Sequence, residues 1–482
     1  MQQQKIFRPV LAALFVASLA ACGGGDDAVA IPTPVPEETR VQDARVFSPV
    51  AEATFAALQG SAIDTDRWTG TLKGAAYRIE MPKTGWNGKL VMWAHGYRGT
   101  GANLTVDTPI MRRYLLDNGY AWAASSYSKN YYDVRAGVED TNALALNFVA
   151  IAAAKGRVVD APSKIFITGI SMGGHITAAA IEAEAQTNAL NKVKYAGAVP
   201  MCGVLGDTEL FNYFAGYQVV AQQLAGFPIT TFPVADFATL APAIQSALWS
   251  SYPTRSNAQG DKLKNAVMNL SGGARPFYAE GWANASNQSN IWASLGGDGT
   301  INGILAQNVL DTTQLSYKVD ASSASTTALD AAFNASAFKI KPTLDANRLR
   351  RDGLRWIPTS SGEFSVPVVS IHTLGDLFVP FKMEQVYYDR AKAKGSDKWL
   401  VQRAIRDVGH CAFTAAEATT AFDDMIKWEA GGVKPAGDDV KTAATVSAAT
   451  YGCTFTKNTP SADDYTAPAT RAGFQANYPT CP

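Results

Sequence analysis

The sequence predicts an α/β protein, with a mostly parallel sheet flanked by helices and a large, mostly helical insertion. Three observations carry this. Short apolar runs alternate with helical stretches from about residue 70 to 206. The alternation stops across 207–365, where helical pieces are joined by Gly-, Ser- and Asn-rich stretches, and it resumes at Val366. Alternating β and α signals imply parallel strands covered on both faces. Composition agrees: 47% apolar and 17% charged residues exclude a disordered or fibrous chain. Lys+Arg and Asp+Glu balance at 42 each, which excludes the basic surface that nucleic acid requires.

Taken in order, Ala76 to Met81 and Leu90 to Trp93 read as strands, and Pro109 to Asp117 as a helix stopped by Asn118-Gly119. Ala121 to Tyr127 is a strand and Asp140 to Lys155 an Ala-rich helix. Lys164 to Thr168 (KIFIT) is a strand, Gly173 to Gln186 a helix and Tyr195 to Met201 a strand. In the insertion, helices are expected at Leu210–Leu224, Ala235–Trp249 and Lys262–Leu270, with a loop from Gly281 to Gly299. Val366–Thr373 and Trp399–Arg406 are strands, followed respectively by helices at Lys382–Lys394 and Thr414–Glu429. The core is thus expected in two parts, 46–206 and 366–482, the second ending in a Thr-, Ala- and Pro-rich tail that wraps irregularly.

Residues 1–22 carry Lys5 and Arg8 before a short apolar run, Val10 to Ala21, too short for a stable span and fitting a secretory signal. Leu19-Ala20-Ala21-Cys22 resembles the bacterial lipobox, which implies cleavage before Cys22 and its lipidation. Gly23 takes the place of the Asp associated with inner-membrane retention, which favours the outer membrane or cell surface of a bacterial envelope. Residues 23–45 read as a flexible tether. No later apolar run approaches 18 residues, so the lipid is the expected membrane contact.

Gly169-Ile170-Ser171-Met172-Gly173 places Ser171 where the KIFIT strand turns into a helix. Small neighbours permit a tight turn, and the helix N-terminus favours developing negative charge. A serine needs a base, and the chain has four histidines. His175 is tied to the nucleophile helix, His95 lies in an early loop and His372 in an apolar strand. His410 follows the last strand in Asp407-Val408-Gly409-His410 and is the expected base. The orienting acid is Asp376, in the turn after the VVSIHT strand, with Asp407 as the alternative. The backbone N–H groups of Met172 and Tyr97 are the expected oxyanion donors.

Strand–GISMGG–helix, the early Trp93-Ala94-His95-Gly96-Tyr97, GDLFVP and GHC, in this order, resemble the α/β-hydrolase superfamily over about 70–206 and 366–430. The resemblance implies that 207–365 is a lid. Trp86-Asn87-Gly88, the long lid and His410-Cys411 are more loosely similar to secreted tannase and feruloyl-esterase-like enzymes. Ile170 departs from that pattern, which has Cys there. A lid calcium loop is hinted at by Asp298 to Gly303 alone and reads as a plain turn, so no metal is expected. No metal-ligand cluster, P-loop or dinucleotide fingerprint occurs, so no cofactor is expected.

The expected activity is hydrolysis of carboxylic esters through an acyl-enzyme. Phe211, Tyr213, Phe214, Tyr217, Trp249, Phe277, Tyr278, Trp282 and Trp292 suggest an apolar or aromatic substrate group. A peptidase or amidase of the same fold and a non-catalytic surface-binding lipoprotein are the alternatives. Beyond Cys22, the cysteines Cys202, Cys411, Cys453 and Cys481 are an even number in an exported chain and allow three pairings. Cys202 ends a strand at the same sheet edge as Cys411, and the other two lie in the tail. Cys202–Cys411 and Cys453–Cys481 are therefore expected.

Overall fold

The computed structural model describes residues 39–297, 308–321, 325–464 and 468–481. The signal segment, Cys22, most of the tether and the Asp298 to Gly303 segment lie outside the described residues. Pro36–Pro482 form one compact unit.

Eight strands form its central sheet: β1 Thr65–Leu72, β2 Ala75–Pro82, β3 Lys89–Ala94, β4 Ala121–Ser125, β5 Lys164–Ile170, β6 Gly197–Met201, β7 Val368–Thr373 and β8 Leu400–Ile405. They lie side by side in the order β1-β2-β4-β3-β5-β6-β7-β8. β1 and β2 pair antiparallel, as do β2 and β4. Every other pairing is parallel. The strand period of two sends alternate residues to opposite faces. On β3, Leu90, Met92 and Ala94 join the core that holds Phe148 and Ile176. Val91 and Trp93 join the core that holds Leu115, Phe422 and Met425. Those partners lie on α2 (Val134–Ala154) and α3 (Met172–Ile181) for the first face, and on α1 (Arg112–Asp117) and α12 (Ala415–Gly431) for the second. A sheet buried on both faces explains why its parallel strands read as continuous apolar runs.

The sequence reading misses β1. Its sequence, TDRWTGTL, carries Asp66 and Arg67 at half-buried positions of an edge strand, so no apolar run marks it. α2 starts earlier than expected because Asp133 caps it, accepting from the Ala136 N–H at 3.0 Å.

Between β6 and β7 the chain builds α5 (Glu209–Leu224), α6 (Phe237–Leu248), α7 (Ala258–Leu270), α8 (Tyr278–Ala283), α9 (Ala285–Trp292) and α10 (Ala328–Ser336). The expected loop from Gly281 is corrected: α8 and α9 lie there, and the Asn284 side chain caps α9. Buried Trp282, Ile291 and Trp292 supply the packing that composition alone did not suggest. The last tether residues are also packed. Arg40 is buried, pairs with Asp133 at 2.9 Å and lies over the Trp356 ring, so 39–45 is not a free linker.

Candidate active site

β5 delivers Ser171 to the C-terminal edge of the sheet, and α3 begins at the next residue. Ser171 adopts φ 57°, ψ −123°, a region that disfavours a side chain, and the surrounding backbone holds it there. The turn is crowded. A Cβ on Gly169 would lie 2.5 Å from the Ala94 carbonyl oxygen, and one on Gly173 would overlap that same oxygen. These close approaches give both glycines their reason.

Ser171, His410 and Asp376 meet in one hydrogen-bonded line. Ser171 Oγ lies 2.8 Å from His410 Nε2, and His410 Nδ1 lies 2.6 Å from Asp376 Oδ2. Asp376 is fully buried, and its Oδ1 accepts from the N–H groups of Phe378 and Val379 at 2.9 and 3.0 Å. The turn that carries Asp376 thereby fixes its carboxylate plane. The Phe378 ring stands edge-on to His410 at 5.3 Å. Asp407, the alternative acid, is used elsewhere. Its Oδ1 accepts from Val408 and Gly409 N–H and its Oδ2 pairs with Arg471, so it shapes the loop that presents His410.

Gly96 abuts Ser171, since a Cβ there would lie 3.2 Å from Ser171 Cβ. Tyr97 lines the same cavity as Ser171, and Met172 opens α3 directly after it. Cys202 and Cys411 are bonded, with Cα atoms 5.3 Å apart, and so are Cys453 and Cys481. The first bond ties the end of β6 to the residue after His410. Cys202, His410 and Cys411 cluster closely enough to hold a metal, but the disulfide occupies both sulfurs.

Two other histidines, His175 and His95, are structural. His175 Nε2–H donates to the Pro358 carbonyl at 2.8 Å, and its Nδ1 accepts from the Tyr132 hydroxyl at 2.8 Å. His95 lies in the loop after β3, as expected, and is buried there, stacked on Tyr127 with centroids 4.1 Å apart. Burial pushes both imidazoles down to about 4. In the unfolded chain they take up protons near pH 6.5, so the stability gained by keeping them neutral is present above about that pH. It is lost as pH falls toward about 4, at most about 3 kcal/mol for each. A falling Tm across that window is expected in calorimetry, with a shallower slope for His175→Gln. A flat Tm, or an unchanged slope in the variant, would contradict this.

Two positioning residues escape sequence reasoning. Asn287 on α9 directs its amide to the carbonyls of Gly281, Gly375 and Val408 at 3.1, 3.0 and 3.0 Å. It thus joins the insertion to the turns that carry Asp376 and His410. Arg471, in the tail, binds Asp407, Glu417 and the Ala412 carbonyl, bracketing His410 on both sides. Neither acts at a chemically distinctive motif; each acts on partners remote in sequence. Asn287→Ala is expected to lower stability by about 1–3 kcal/mol and to lower kcat as well. Chemical denaturation and steady-state kinetics read the two effects; unchanged kcat would remove Asn287 from the positioning of the site.

Ser171 and His410 open onto a cavity of about 450 Å³. Its apolar wall is Tyr97, Tyr132, Ile170, Val204, Leu210, Phe378 and Val379, and its polar groups include Arg98, Asp107, Asn290 and Ser294. Leu210, Asn290, Ala293 and Ser294 come from the insertion, which therefore forms part of the wall. None of the nine insertion aromatics singled out in the sequence lines this cavity. Tyr217, Trp249, Trp282 and Trp292 pack on one another within the insertion, Phe211, Phe214 and Phe277 pack against Tyr132, Phe378 and Tyr478 outside it, and all nine are buried.

The strand order, with only β1–β2 and β2–β4 antiparallel, and a positive-φ serine between β5 and α3 decide the architecture. The chain has the α/β-hydrolase fold. No family model matches it. The o-phthalyl amidase of Xanthobacter agilis is 33% identical over 66 residues, which cover 14% of this chain and 15% of that protein. Feruloyl esterase B from Aspergillus oryzae is 15% identical, with 81% of this chain and 86% of that one covered and a TM-score of 0.42. Acylaminoacyl peptidase from Pyrococcus horikoshii is 9% identical, with 79% and 44% covered and a TM-score of 0.37. These likenesses are distant, and the α/β-hydrolase assignment rests on the strand order and the elbow.

Proposed function

We propose that this α/β-hydrolase cleaves carboxylic esters through Ser171, His410 and Asp376. The observation that carries the reading is the continuous line from Ser171 Oγ to His410 at 2.8 Å and on to Asp376 at 2.6 Å, opening into a cavity. In this mechanism His410 Nε2 takes the Ser171 proton as Oγ attacks the acyl carbon. Asp376 accepts from Nδ1–H and stabilises the imidazolium. The oxyanion leans on the N–H groups of Met172 and Tyr97. His410 then protonates the leaving alcohol, and water attacks the acyl-enzyme by the reverse proton path. The apolar cavity wall favours a compact apolar or single-ring group.

An amide substrate is the second reading, favoured by the local identity to an amidase. Matched esters and amides of one acyl group distinguish the two. Higher kcat/KM for the ester across short-chain and aromatic acyl groups is expected; equal or higher values for the amides would replace esterase by amidase.

A further inference from the structure

Beside Asp376 lies a second buried imidazole that the reaction does not use. His372, on β7, is fully buried, and its Nε2 sits 2.7 Å from the Val379 carbonyl oxygen and 3.8 Å from Asp376 Oδ2. A carbonyl only accepts, so Nε2 carries hydrogen. The other ring nitrogen, Nδ1, faces Glu384 Oε1 at 3.4 Å. Glu384, on α11 (Lys382–Lys394), is also fully buried. Its Oε2 accepts from Ser370 Oγ at 2.6 Å and Gln402 Nε2 at 2.5 Å, the arrangement of an ionised carboxylate.

Nδ1 and Oε1 have no other hydrogen-bond partner among the described residues. Two lone pairs facing each other in a dry site would be costly, so a proton must lie between them. With Oε2 already holding two donors, that proton belongs on Nδ1. His372 then carries both protons. Burial alone would push this imidazole down, but the Glu384 and Asp376 carboxylates more than offset it and hold it above its ordinary value. The remaining groups around the turn are Arg275, which donates to the Leu374 carbonyl, Tyr213, which donates to the Leu377 carbonyl, and the Phe381 ring edge.

We propose that His372 is a positioning residue, held as an imidazolium by Glu384, whose charge keeps buried Asp376 an acceptor-only carboxylate for His410. The proposal rests on the hydrolase reading for its consequence, but its structural premise can be read without turnover. A buried carboxyl with no cation nearby is driven toward its neutral form, in which it orients an imidazole less well. The line of groups then runs from Glu384 through His372, Asp376 and His410 to Ser171.

Nitrogen-15 spectra of histidine-labelled protein test the premise directly. One of the four rings is expected to keep both nitrogens protonated at a pH where an ordinary imidazole has lost its second proton, and that signal should vanish in His372→Gln. A His372 ring with a single proton near neutral pH overturns the proposal, whatever Ser171 does. Glu384→Gln tests the consequence, because it removes the charge and keeps an acceptor for Ser370. Its His372 ring is expected to become neutral, and the acid limb of kcat/KM to move down by about one pH unit, since an Asp376 carboxyl driven toward its neutral form no longer holds the proton on His410. A lower Tm or kcat with an unmoved acid limb would mean a structural role only and would also overturn it. If Glu384→Gln does not fold, the wild-type spectrum decides alone.

Discussion

Replacing Ser171 with Ala is expected to lower kcat for a p-nitrophenyl ester by about 10⁴- to 10⁶-fold while leaving the unfolding transition unchanged. The serine makes no side-chain hydrogen bond that holds a structural element; among the described residues its Oγ is bonded to His410 Nε2 alone. His410→Ala is expected to cost as much, because without the base Oγ remains a neutral hydroxyl. The two losses should not add, since the residues act as one unit. Asp376→Asn should also be severe. An amide at that position can present its NH₂ to Nδ1 and select the wrong tautomer. It also disturbs the acceptor that the N–H groups of Phe378 and Val379 share. Kinetics with each variant, paired with circular dichroism, separate chemistry from folding. Wild-type turnover in Ser171→Ala would remove the triad from the mechanism.

The second large effect is expected at Cys202–Cys411. Both residues have positive φ, 42° and 57°, where a side chain is disfavoured. The bond links the end of β6, where the Cys202 N–H donates to the Ile371 carbonyl, to the residue after His410. It spans 209 residues of sequence, including the whole insertion. Without it, the His410 loop is left to hydrogen bonds, among them those of Asp407, Arg471 and Asn287, the bond from Thr373 Oγ1 to the Gly409 carbonyl and the bond from the Gly375 N–H to the Asp407 carbonyl. The Cys202→Ala/Cys411→Ala chain is expected to lose about 2–5 kcal/mol of stability. Turnover should fall by on the order of 10²-fold, the scale expected when a reacting group is misplaced by about an ångström. Denaturant titration and kinetics of this double variant measure both; full turnover with lowered stability would show a staple without a positioning role. The Cys453–Cys481 bond closes a separation of 28 residues and should contribute about 2–4 kcal/mol. Arg471 lies inside that loop, so a smaller effect on turnover is expected there too.

The features legible in the sequence are those where local pattern and chemistry coincide. The run KIFIT followed by small residues and a helix places Ser171 at a strand-to-helix turn, because strand period, turn geometry and the serine fall in one segment. Asp376 and His410 are found by position at the ends of later strands. The disulfides follow from even parity and from sheet-edge placement. What stays hidden depends on contacts between distant segments. β1 is a polar edge strand whose register comes from β2. α8 and α9 form in Asn- and Ser-rich sequence because buried tryptophans hold them. The insertion aromatics are visible as a set, but whether they face a ligand or one another depends on how α5, α6 and α9 pack. Asn287 and His372 are ordinary residues by type. Their roles arise from which carbonyls and carboxylates the fold brings to them.

Covalent labelling tests the central claim most directly. The wild-type chain is treated with a fluorophosphonate, whose phosphorus is attacked by an activated serine, and the adduct is located by peptide mass spectrometry. A single adduct on Ser171 is expected, formed by the wild-type chain and absent from Ser171→Ala and His410→Ala. An unlabelled wild-type chain, or an adduct on another serine that persists in Ser171→Ala, would contradict the account.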